Sequence, residues 1–122
     1  MDGSSRSGPD IRSLALDAAT ADEVFRGVAR LCELDEAVVA KALGEREAVE
    51  PTDIGDGVAV PHGKIESLDH GVIVDVTLKR SVSWGAGRGA VKRCLCVLEP
   101  GEEREAHAAL LAEAARRAGA SS

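Results

Sequence analysis

The spacing of hydrophobic residues changes twice along the chain: helical at first, alternating in the middle, helical again at the end. Residues 1–10 are small, polar and rich in Ser, Gly and Pro, which reads as a disordered tail. Ile11 to Leu16 follows as a short strand or turn. Thr20-Ala21-Asp22-Glu23 carries a capping box, in which the Thr oxygen bonds the Glu23 amide and the Glu23 carboxylate reaches back. The helix it opens places Val24, Val28, Leu31 and Cys32 on one stripe. Asp35 caps a second helix whose inward positions are Val38, Val39, Ala42 and Leu43. Gly44 either ends that helix or sits inside one that continues to Glu47, at a cost of about 1 kcal/mol relative to Ala.

From Asp53 to Gly57 the chain is turn-rich, and Val58 to Val60 is a short strand leading into His62. Val72 to Leu78 alternates, with Val72, Val74, Val76 and Leu78 on one face. Gly85, Gly87 and Gly89 mark a loose turn. Val91 to Leu98 is the next strand, and its apolar end predicts burial on both faces. Pro100-Gly101 stops it, and Glu102, Glu103 and Glu105 supply the acidic first turn that a helix dipole favours. That last helix carries His107, Leu110, Leu111 and Ala114 at i, i+3, i+4 and i+7. There is no internal repeat, so residues 11–118 read as one domain of mixed α and β structure.

Composition narrows the function. Only 2% of residues are aromatic, with one Phe, one Trp and no Tyr, so the core is aliphatic and surfaces for stacking bases are nearly absent. A net charge of −6 argues further against nucleic acid, whose phosphates need a basic face, and suits a basic protein partner instead. Three cysteines (Cys32, Cys94 and Cys96) make an odd number without framework spacing, and Met1-Asp2-Gly3-Ser4 is no signal peptide. No apolar run approaches the roughly 20 residues of a membrane span. A cytoplasmic protein without membrane insertion is expected.

The candidate chemistry centres on His62, set between Pro61 and Gly63 at the end of an apolar segment. Pro61 has a fixed φ and Gly63 a wide range, so the histidine is expected on a shaped loop at a strand end. Neutral imidazole, with a pKa near ~6.5, offers a nucleophilic nitrogen at cytoplasmic pH. Backbone amides around Gly63 are candidate donors to an anion, and Arg46 has bidentate donors suited to phosphate. Each has a plainer reading. His62 could be a surface turn histidine, Arg46 a helix-surface arginine paired with glutamate, and Lys64 a solvated lysine. His107, on an apolar stripe, reads by itself as a buried core histidine. His70 reads as exposed and inert. Cys94 and Cys96 share one strand face as core residues, and Trp84 reads as a cap on the sheet edge. His62 and His107 lack further ligands at metal spacing, so neither a metal nor a cofactor is expected.

The run Gly57-Val58-Ala59-Val60-Pro61-His62-Gly63 resembles the active-site segment of the enzyme IIA domains of the bacterial phosphoenolpyruvate-dependent phosphotransferase system, in their fructose/mannitol and nitrogen-regulatory branch. Glu45-Arg46-Glu47, Ser83-Trp84 through Gly89, and Leu98-Glu99-Pro100 followed by His107 are similar to further family segments, in the right order from about Asp22 to about Arg116. The resemblance implies an α/β fold with a mixed central sheet of four or five strands flanked by helices. It implies a phosphoryl group accepted on His62 from the histidine-containing phosphocarrier protein, with His107 beside it and Arg46 and Gly63 stabilising the phosphoryl oxygens. Enzyme IIB or a regulated target would be the acceptor or partner. Pro61-His62-Gly63-Lys64 looks more like the nitrogen-regulatory members than the sugar-specific ones. Gly44, the glycine-rich Gly85–Gly89 turn without its acidic residues, and a C-terminus shorter than in related domains depart from the pattern. The shortening would leave a face for a partner, such as a second copy in a homodimer. A sugar-specific component of fructose/mannitol uptake and a degenerate, non-phosphorylated interaction module are the alternatives.

Overall fold

The computed structural model describes residues 10–49, 52–84, 89–100 and 104–120, with the backbone alone for 104–110 and 120. Residues 1–9, the turn over 85–88, and Glu102 and Glu103 lie outside the described residues.

Strand β1 (Asp10–Leu16) leads into helices α1 (Ala21–Leu31) and α2 (Glu36–Val49). The short strands β2 (Asp53–Gly55), β3 (Val58–Ala59) and β4 (His62–Lys64) follow, then β5 (Val72–Ser83), β6 (Ala90–Glu99) and helix α3 (Arg104–Ala120). The sheet is mixed, in the order β1-β5-β6-β3-β2, with β4 also on β6. The α/β architecture is the expected one, but six strands form where four or five were read. β2, β3 and β4 span three, two and three residues, too few for alternation to show in sequence.

The capping expectations hold. The Glu23 amide donates to Thr20 Oγ1 at 3.2 Å, and the Glu23 carboxylate reaches back to the Ala19 amide at 2.7 Å. The Val38 amide donates to Asp35 Oδ1 at 3.1 Å. Gly44 lies inside α2, which runs on to Val49. One inward assignment fails: Val38 is half-exposed, and the buried stripe of α2 is Val39, Ala40 and Leu43. Position 38 lies about 100° around the helix from 39, turned away from the sheet.

Two cores sandwich the sheet. The larger joins α1 and α2, through Val24, Val28, Val39 and Leu43, to Val72, Val74, Val76, Cys94, Cys96 and Leu98. The smaller packs Ala114 and Ala118 of α3 on Ile73, Leu95 and Val97. β6 is therefore buried on both faces, as its unbroken apolar end requires. Cys94 and Cys96 share the α1/α2 face, and burial pushes the Cys94 thiol up to about 12 and that of Cys96 well above its ordinary value. Trp84 does not cap an edge. It is buried in the larger core and meets Phe25 edge-to-face at 6.0 Å.

The long, central strands position the site. β3 and β4 run along one edge of β6 in a single parallel register, from Val58 opposite Arg93 to Lys64 opposite Glu99. The Arg93 amide donates to the Gly57 carbonyl at 3.1 Å, the Val97 amide to Pro61 at 2.8 Å, and the Ile65 amide to Glu99 at 2.8 Å. The break between β3 and β4 falls at Pro61, which has no N–H to give the ladder. His62 is therefore the first residue of a resumed strand rather than part of a loop.

Candidate active site

Directly paired residues of neighbouring strands project to the same face, and the face alternates with a period of two. Val97, opposite His62, belongs to the α3-side core, so His62 points to that side. Lys64 and Glu99, paired two residues further on, return to the same face. Gly63 faces α2 instead. A Cβ at Gly63 would lie 3.2 Å from the backbone C and O of Ala42 and 3.3 Å from its Cβ. The ladder's alternation also turns the Gly63 amide toward β6. What Gly63 contributes here is the missing side chain, which brings α2 against β4.

An open cleft of about 640 Å³ lies where these elements meet. Its lining includes Glu45 and Arg46 of α2, His62, Gly63 and Lys64 of β4, Glu99 of β6 and Leu111 of α3. Four residues expected from sequence (Arg46, His62, Gly63 and Lys64) are thus brought together, although up to eighteen positions separate them. His107 lies on α3, one turn before Leu111, and its side chain is outside the described residues. His70 is exposed, as expected, and pairs with Asp69 at 2.5 Å, which holds the Asp69 carboxyl below its usual range.

The His62 ring is oriented from within its own segment. Nδ1 lies 3.1 Å from the Val60 carbonyl oxygen. A carbonyl only accepts, so Nδ1 carries the hydrogen, and in the neutral ring the lone pair resides on Nε2. Val60 is itself tied down by its amide, which donates to the Thr52 carbonyl at 3.0 Å. Among the described residues no group of three or more His, Cys, Asp and Glu side chains forms a metal site.

Two contributors escaped the sequence reading. Glu99 is buried, at 2% exposure, within the cleft. Glu47 anchors the end of α2 by accepting from the Thr52 amide at 2.6 Å, the Thr52 hydroxyl at 2.8 Å and Trp84 Nε1 at 2.9 Å. The Thr52 and Trp84 partners are five and 37 residues away in sequence, so local spacing carried no signal of the second.

Gly63→Ala tests the close approach of α2 to β4. Overpacking against helix backbone is expected to cost about 1–2 kcal/mol and to lower the melting temperature by about 5 °C. A melting curve followed by the fluorescence of the single Trp checks this. An unchanged midpoint would mean that the two elements move apart freely.

The family model for the phosphoenolpyruvate-dependent sugar phosphotransferase system, EIIA 2, matches residues 10–119. Among curated proteins no sequence match is found. The fold is similar to that of nitrogen regulatory protein IIA-Ntr from Neisseria meningitidis, with a TM-score of 0.70 and 22% identity, covering 84% of this chain and 73% of that one. It is also similar to IIA mannitol from Escherichia coli, with a TM-score of 0.57 and 24% identity, covering 79% and 72%. A third similar structure is enzyme IIAMtl of Escherichia coli in complex with phosphorylated enzyme IIBMtl, with a TM-score of 0.56 and 21% identity, covering 81% and 73%. With a matching family model over nearly its whole length and the matching fold beneath it, the chain belongs to the EIIA 2 family of the phosphoenolpyruvate-dependent sugar phosphotransferase system.

Proposed function

We propose that this domain is a phosphoryl carrier that accepts the group on Nε2 of His62 from the histidine-containing phosphocarrier protein. The observation that carries the reading is the Nδ1 contact to the Val60 carbonyl, which assigns the lone pair to Nε2 within a cleft that holds Arg46 and Lys64. In the transfer the N–P bond to the donor's imidazole breaks as a new N–P bond forms at Nε2. One ring nitrogen replaces another, and no water takes part. The protein's work is positioning plus charge stabilisation on the three equatorial oxygens. Arg46 suits that role through its planar fork, and Lys64 adds a point charge. His107 is proposed as a second histidine at the same centre.

The product retains a reactive N–P bond, so the group can pass to a further acceptor, such as an enzyme IIB, or the phosphorylation state can control a target protein. Pro61-His62-Gly63-Lys64 favours the regulatory role, in the cytoplasm. No helix among the described residues is long and apolar enough to cross a membrane. The sugar-uptake component remains the second reading, since the family itself is named for it.

Incubation with phosphoenolpyruvate, enzyme I and the phosphocarrier should add one acid-labile phosphoryl group by intact mass. Nitrogen-15 and phosphorus-31 NMR should place it on Nε2. A folded sample that takes no group from its cognate donor would favour the non-phosphorylated interaction module. A group on Nδ1 would overturn the tautomer argument.

A further inference from the structure

We infer that Glu99 sets how readily the phosphoryl group leaves His62, an inference that rests on His62 being the acceptor. Glu99 is 2% exposed and lines the cleft with His62, Arg46 and Lys64. It stands opposite Lys64 in the β4–β6 ladder, two residues beyond the His62–Val97 pair and so on the same face. Neighbouring strands lie about 4.8 Å apart and two residues advance about 6.6 Å, which sets the two Cβ atoms about 8 Å apart. The Glu99 backbone is fixed by the bond from the Ile65 amide at 2.8 Å, and the strand is covered on both faces, so the carboxylate cannot swing away into water.

A phosphoryl group brings about two negative charges to the ring it joins. Even at the dielectric of water, ~80, a like charge at such a separation from the two phosphoryl charges disfavours the phosphorylated form by close to tenfold. Glu45 and Arg46 face the cleft from α2 and Lys64 from β4, while α3 carries His107. The cations attract the incoming group, and Glu99 limits how tightly the site holds it. A carrier benefits from that limit, because a group bound too firmly is not passed on. Glu99 acts through the field at His62 and not by touching the reacting atoms, which makes it a positioning residue for charge.

The test is the equilibrium between this protein and the phosphorylated histidine phosphocarrier at a fixed donor ratio, read by intact mass. Glu99→Gln keeps the shape and removes the charge. It should shift the equilibrium toward phosphorylated His62 by about tenfold. Glu99→Asp should stay within about threefold of the parent. Glu99→Leu, which suits a buried site, is the second neutral variant and should shift in the same direction. Equal equilibria in the parent and in whichever neutral variants keep the parent's melting curve would overturn the inference. So would equal losses in Glu99→Gln and Glu99→Asp, which would mark a structural role. Failure of the parent to accept any phosphoryl group would instead sink the His62 reading, so the two failures are distinguishable.

Discussion

His62→Gln should accept no phosphoryl group under conditions that fully phosphorylate the parent. The chain has three histidines, and the substitution separates His62 from the other two. Glutamine is close to imidazole in reach and keeps a neutral polar side chain at this half-buried position, so the strand should keep its local geometry. What it lacks is a nucleophilic ring nitrogen. Loss of the acceptor is therefore expected to be complete, rather than the hundredfold to thousandfold effect of removing one stabilising donor. The midpoint of thermal unfolding should move by less than about 2 °C, since His62 is half-buried at a cleft and not in either core. Intact mass and a melting curve on the same sample check both halves. Retention of an acid-labile group in the variant would transfer the acceptor role to His107 or His70.

Glu47→Ala should be the most damaging substitution outside the two cores. The Glu47 carboxylate accepts three hydrogen bonds, and one donor, Trp84 Nε1, belongs to a side chain only 4% exposed. Truncation leaves that indole N–H in an apolar site without its partner and frees Thr52 from α2. Unsatisfied buried donors cost about 1–3 kcal/mol, and the lost charge-assisted bonds add to this, for a total of about 3 kcal/mol. For a domain of this size the melting temperature should fall by about 10 °C. The single Trp reports the local change directly, and its emission should shift to the red as the ring loosens. Glu47→Gln should cost much less. Its carbonyl oxygen can accept both N–H groups, while its amide donates to the Thr52 hydroxyl, which also accepts. Equal losses in the two variants would show that side-chain packing, not hydrogen bonding, makes Glu47 matter. Because Thr52 also holds the Val60 segment behind His62, Glu47→Ala is expected to slow phosphoryl transfer too.

Legibility in the sequence followed the range of the forces involved. The caps at Thr20 and Asp35 were readable because donor and acceptor lie three residues apart. The alternation of β5 and the doubly buried end of β6 were readable because one pattern runs unbroken from Val72 to Leu78 and another from Cys94 to Leu98. β2, β3 and β4 were not separable, since each is held by a ladder to distant residues and not by its own periodicity. Val38 was misassigned because a helical stripe wide enough for both 38 and 39 fits the sequence, whereas packing against a flat sheet admits only 39 and its neighbours. Trp84 was read as an edge cap because its two partners, Phe25 and Glu47, come from helices far back in the chain.

Residue types and short spacings alone determined the succession of the helices and the two long strands, the aliphatic core and the Pro61-His62-Gly63 segment, because those choices rest on contacts within a few positions. Only the tertiary structure decided which way His62 points and what shares its cleft. Pro61 interrupts the ladder without shifting its register, so His62 keeps the phase of β3 and faces α3 beside Lys64 and Glu99. Gly63, one residue on, faces the opposite way and admits α2, which carries Arg46 to the same opening. A single residue of slippage would exchange the two faces and take His62 out of the cleft, and pairing with β6 is what forbids it.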